Sequence, residues 1–234
     1  MLDRWMDLSL PIRDGMPVAA GGNLSGQFKA GGDISGISAG KNNSARVNTD
    51  GAVGGVWAGH SGSVRISAKG NVGNVVAGRS LTIIISTEGD VGGISGHGEV
   101  SGTITARGNV AGIATSGSIS ATASVTITAQ GDVGNVSASS DNPESGDVKG
   151  SIKAGGTVAS VYASHSVESS IKATGNITEV TAERGDVKGV IESRSGDVGP
   201  VRAGRDITGG IKAQGGIGRV TAGGNVSAGI DAGQ

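Results

Sequence analysis

One phrase, Gly followed by Asp or Asn and then Val or Ile, returns along most of this 234-residue chain. With that Gly as position 1, copies begin at Gly32, Gly51, Gly70, Gly89, Gly108, Gly131, Gly156, Gly175, Gly196 and Gly215. The intervals are 19, 19, 19, 19, 23, 25, 19, 21 and 19 residues. A unit this short cannot bury its own apolar face and must stack on its neighbours, which marks a solenoid. The unit from Gly196, GDVGPVRAGRDITGGIKAQ, also splits into two similar halves, DVGPVRAG and DITGGIKAQ. A weaker copy, PVAAGGNLSGQFKA at 17–30, matches RVTAGGNVSAGIDA at 219–232. The repeat domain is therefore placed at 13–234, with 1–12 as an N-terminal capping segment.

Positions 3 and 6 are Val or Ile, 8 is usually Ala, 12 is often Val, Ile or Leu, 16 is Ile or Val, and 18 is usually Ala. Apolar residues at 6 and 8, and again at 16 and 18, are two apart, the spacing that turns alternate side chains of a strand to one face. Two short strands per unit, joined by Gly-rich corners, predict an all-β fold, a parallel β-helix or flattened β-solenoid. Ten to eleven coils at strand spacing give a rod about 50 Å long. A composition of 46 Gly and 2% aromatics would by itself fit disorder, but the period excludes that reading.

Gly at position 1 is expected to take the positive φ of a tight corner, and Asp or Asn at position 2 to bond its own backbone in the turn. Down the stack, position 2 reads Asp33, Ala52, Asn71, Asp90, Asn109, Asp132, Thr157, Asn176, Asp197 and Gly216. Calcium needs several oxygen ligands converging on one point, whereas here carboxylates alternate with neutral groups. A ladder of turns is expected, and no metal or cofactor.

The chain carries 19 Lys or Arg and 20 Asp or Glu, so no global charge bias points to nucleic acid. Position 19 reads Asp50, Lys69, Glu88 and Arg107, which offers opposite charges on adjacent rungs. Position 17 passes from Asn48, Ser67, Ser86, Thr105 and Thr128 to Lys153, Lys172, Glu192, Lys212 and Asp231. Position 10 holds Lys41, His60 and Arg79 in one run and His165, Arg184 and Arg205 in another. Glu183, Asp186 and Asp206 are expected to neutralise the second trio. The first has Asn42, Ser61 and Ser80 beside it, which makes Lys41, His60 and Arg79 the candidate patch for an anionic ligand such as a glycan.

Cysteine is absent, which removes disulfides, thiolate metal sites and cysteine nucleophiles. His97 falls beside the position 10 corner but two coils from His60, and nothing brings three zinc ligands together. Trp57 and Tyr162 share outward position 7, five coils apart. Trp5, Leu2, Met6 and Leu8 are expected to cover the first coil, since an open solenoid end exposes core and strand edges. Asp3, Arg4 and Asp7 break the apolar core a secretory signal requires, and no run approaches the roughly 20 apolar residues of a membrane span. No membrane insertion is expected. The sequence reaches Gln234 in repeat rhythm, so the expectation is that coils continue in a longer chain or that this end self-associates.

Enzymatic β-helices need a cluster of acids and bases, such as the paired carboxylates of glycoside hydrolysis. The longest insertion, in SSDNPESGD at 139–147, contains Asp141 and Glu144 but reads as a surface turn around Pro143. Ice binding would need a long Thr-x-Thr array, and only Thr103/Thr105 and Thr126/Thr128 supply rungs. The chain is expected not to be an enzyme.

The phrases GDVGNVSAS, GDVGPVRAG and GNVGNVVAG resemble the Gly-rich β-helical tracts of large bacterial surface proteins, of the adhesin and autotransporter-passenger type. That resemblance covers most of the chain and implies an extracellular stalk or adhesive scaffold without a cofactor. A narrower likeness joins GDVKGSIKAG at 146–155 and GDVKGVIES at 185–193 to the rungs of bactofilins, cytoplasmic β-helical proteins that polymerise end to end. The period and Gly content depart from that second pattern. The compartment expected is extracellular if the chain is part of a longer one, and cytoplasmic otherwise.

Overall fold

A computed structural model describes residues 8–117 and 122–233. The strands run from Leu8–Pro11 to Ile230–Ala232 and alternate between two parallel sheets, one of 12 strands and one of 11. Each coil gives one strand to each sheet, so the chain is a flattened parallel β-solenoid of about eleven turns. Trp5 and its neighbours in the expected cap lie outside the described residues. Leu8–Pro11 pairs in parallel with Leu24–Ala30 and adds a rung below it.

Alternation explains each coil. In the coil from Gly70, Val75 and Ala77 are buried from the 11-stranded sheet, and Leu81, Ile83, Ile85 and Thr87 from the 12-stranded sheet. Val72, ahead of Val75, is buried in one column with Val53 and Val91. Like stacks on like along the axis: Ile66, Ile85, Ile104, Ile127 and Ile152 are consecutive partners and all are at most 1% exposed. Position 14 is a further inward site, occupied by Ala45, Val64, Ile83 and Val125.

Strands of the 12-stranded sheet shorten toward the C-terminus, from seven residues in Leu81–Thr87 to three in Ile191–Ser193 and Ile211–Ala213. Position 14 there becomes Ser169, Gly189 and Gly209. A Cβ on Gly189 would overlap the Ser169 carbonyl oxygen, and one on Gly209 that of Gly189. The backbone closes up at this point, and Val167, Val187, Ile207 and Val226 remain as isolated bridges.

The corner glycines correct one expectation. None of the position 1 glycines has a positive φ; such values occur at Gly15, Gly26, Gly102, Gly112, Gly146 and Gly150. Position 1 requires glycine because of the coil beneath it. A Cβ on Gly51, Gly89, Gly108, Gly131, Gly156, Gly196 or Gly215 would overlap the Asp or Asn Oδ1 at position 2 of the preceding coil.

Position 2 is corrected in the same way. Its side chain does not bond its own turn but accepts the backbone N–H at position 2 of the next coil. Asp90 Oδ1 takes the Asn109 N–H at 2.7 Å, Asn109 Oδ1 that of Asp132 at 2.8 Å, and Asp132 Oδ1 that of Thr157 at 2.7 Å. Asn176 and Asp197 repeat it toward Asp197 and Gly216. The Gly-Asx phrase is thus one device spread over two coils. A second such ladder runs along position 11 of the later coils, where Asp147, Ser166, Asp186 and Asp206 each accept the next coil's N–H.

Candidate functional site

Lys41, His60 and Arg79 do form one column. The His60 N–H donates to the Lys41 carbonyl and the Arg79 N–H to the His60 carbonyl, both at 2.9 Å. All three are exposed, and their side chains have no hydrogen-bond or ion-pair partner among the described residues. Beside them, Asn42 Oδ1 accepts the Ser61 N–H at 3.2 Å and joins the corner ladder.

The second trio does not align. His165, Gly185 and Arg205 are successive rungs, and Arg184 lies one residue before the column because the corner after Ala182 carries one residue more than that after Ala163. Arg184 instead reaches back along the stack. Its Nε donates to the Ser164 carbonyl at 2.9 Å, and Nη2 to the Ser140 carbonyl at 2.8 Å, so it pins the start of the insertion holding Asp141 and Glu144. His165 Nδ1 lies 2.6 Å from Asp147 Oδ1, and Glu183 accepts the Tyr162 hydroxyl.

Asp147 is the most enclosed of these carboxylates. Burial would raise its pKa, but bonds from His165, the Ser166 N–H and Lys149 together hold it below its ordinary value. Asp186 is likewise lowered, first by the Asp206 N–H and then, against some burial, by Lys188 and Arg205. Lys149 and Lys188 both reach Glu168, at 3.6 and 3.2 Å, so this corner is a continuous chain of compensated charges.

Other columns compensate in the same way. Lys69 meets Asp50 at 2.7 Å, Arg107 meets Glu88 at 3.2 Å, Lys172 meets Glu192 at 2.9 Å and Lys212 meets Asp231 at 3.2 Å. The Asp50 carboxylate raises the Lys69 pKa, and the Lys172 ammonium lowers that of Glu192. Thr103 and Thr126, and Thr105 and Thr128, are partners flanked by Ile84 and Ser86 on one side and Ser151 and Lys153 on the other, so the Thr array stops at two rungs. Trp57 is 47% exposed between Ser38 and Val76. His97 touches Ser116 Oγ at 3.4 Å, and no group of three potential metal ligands occurs among the described residues.

One feature escaped the sequence reading. Arg46 and Arg65 are direct partners at outward position 15 of the strands Asn43–Thr49 and Gly62–Ala68. They border an open groove of about 400 Å³ that is also lined by Ser25, Ser44, Ser63 and Thr82. The period gave the signal, since the two arginines are 19 residues apart.

The geometry defines the class of this protein as a parallel β-solenoid. Neither protein-family models, nor curated proteins, nor solved structures give a match to the chain. No helix among the described residues is long and apolar enough to cross a membrane.

Proposed function

We propose that this solenoid is a non-enzymatic scaffold, a stiff structural or adhesive segment of the bacterial surface type. The observation that carries the reading is inter-coil bonding repeated along the stack. At two corners Asx side chains, and Ser166 in one of them, accept the next coil's amide, with breaks at Ala52 and Thr157, while aliphatic columns fill the core and opposite charges face each other across strands. Each link is modest, roughly 0.5–1.5 kcal/mol for a hydrogen bond and 0.2–1 kcal/mol for a cross-strand pair. Repetition makes them a rod whose stability is close to a sum over neighbouring coils.

A second reading is end-to-end assembly. Val226 and Ile230, whose counterparts are buried in earlier coils, are exposed in the last described coil. Apolar side chains and unpaired strand edges of this kind can be covered by stacking on another copy. Sedimentation velocity over a wide concentration range, with negative-stain microscopy, separates the two. A monodisperse elongated monomer supports the stalk, and long, concentration-dependent fibres support the polymer. A compact species would sink both.

A further inference from the structure

We infer that the outer face of the 12-stranded sheet in the N-terminal coils is a binding site for a linear anionic polysaccharide, centred on Arg46 and Arg65. Like charges on directly opposed strand positions destabilise a sheet. Elsewhere that cost is avoided: even where Lys153 faces Lys172, the latter is held by Glu192. Arg46 and Arg65 are opposed, exposed and without a hydrogen-bond or ion-pair partner among the described residues. A bound anion at this point would turn the repulsion into attraction. Guanidinium groups suit the task because they hold carboxylate or sulfate through paired N–H donors.

The surroundings select the ligand. Ser44 and Ser63 stand two residues before the arginines and point to the same face, where their free hydroxyls can donate to or accept from sugar hydroxyls. Two successive rungs about 4.8 Å apart present one cation each, between Gln27 and Ile84 on the flanking rungs, which fits a chain with negative groups on two successive units. Lys41, His60 and Arg79 lie at the corner leading into this face and extend the positive field. Single-stranded nucleic acid is held largely by stacking bases on aromatic rings. The outward positions here carry Ser, Arg, Gln, Thr and Ile instead. The inference goes beyond the scaffold reading, and a rod that fails to bind leaves that reading intact.

The test is titration of the full chain with polygalacturonate and with dextran sulfate, with neutral dextran and an oligothymidylate for comparison. One or both anionic polysaccharides should bind and weaken as salt rises, the signature of charge-driven binding to a polyanion. Arg46→Ser/Arg65→Ser should weaken binding by about tenfold or more, one power of ten in Kd. Lys153→Ser/Lys212→Ser should leave it within about twofold, well inside that margin. Arg46→Gln/Arg65→Gln keeps side-chain length and should show the same loss. Because the pair repels, both arginine variants should unfold no earlier than the parent. The proposal is overturned if neither polysaccharide binds, if neutral dextran binds equally, if the oligothymidylate binds more tightly, or if both arginine variants bind like the parent.

Discussion

Asp90 Oδ1 accepts the Asn109 N–H at 2.7 Å and occupies the space a Cβ on Gly108 would need. The two residues of the recurring phrase are therefore coupled across coils. Gly108→Ala drives a methyl into Oδ1 and the Gly89 backbone, an overpacking cost of about 1–3 kcal/mol. Asp90→Ala leaves the Asn109 N–H to water and costs about 1 kcal/mol. The double variant should lose less than the sum, because removing the carboxylate relieves part of the clash. Denaturant unfolding of the four proteins measures this, and strict additivity would show that the contact does not couple them.

Arg184 holds two carbonyls in two earlier coils, Ser164 and Ser140, and one ammonium cannot reproduce that planar fork. Arg184→Ala should cost about 1–3 kcal/mol. Arg184→Lys should recover little. Both should speed cleavage after Glu144 by a glutamate-specific protease. Cleavage at the parental rate would mean the insertion is held by its own turn.

Asp147 and Asp186 have pKa values lowered by folding, so each adds stability above its unfolded pKa of about 4 and loses it as pH falls through the lower folded value. The groups facing Asp147 are His165, Lys149 and the Ser166 N–H; those facing Asp186 are Lys188, Arg205 and the Asp206 N–H. Thermal midpoints should drop steeply below about pH 4. Asp147→Asn/Asp186→Asn should lower the midpoint at neutral pH and flatten its acid dependence. An unchanged slope would place the acid-sensitive groups elsewhere.

Lys41 and Arg79 flank His60 at an exposed corner. If the corner contributes to anion binding, Lys41→Glu/Arg79→Glu should weaken polygalacturonate binding, though less than loss of the Arg46 and Arg65 pair on the open face. The same titration reads it. A larger loss from the corner would move the centre of the site back to the column singled out from sequence.

The repeat alone determined that this chain is a solenoid of two strands per coil. A side chain 19 residues from its like must stand in the same column, and apolar residues two apart must share a face. Position 19 was legible for that reason, and so was the Lys41, His60 and Arg79 column. The same count aligns Arg46 with Arg65, but their importance depends on position 15 facing outward with no acidic neighbour.

Only the tertiary structure decided where the bonds of the repeated phrase go. Asp90 can bond its own turn or the next coil, and the sequence is the same in both cases. Stacking at strand spacing brings the Asn109 N–H to its carboxylate, which also excludes a side chain at Gly108. Insertions set the other limit: one extra residue moves Arg184 out of the column counted for it and turns its guanidinium along the stack. Periodicity fixes the column, but the packing of one coil on the next fixes the partner.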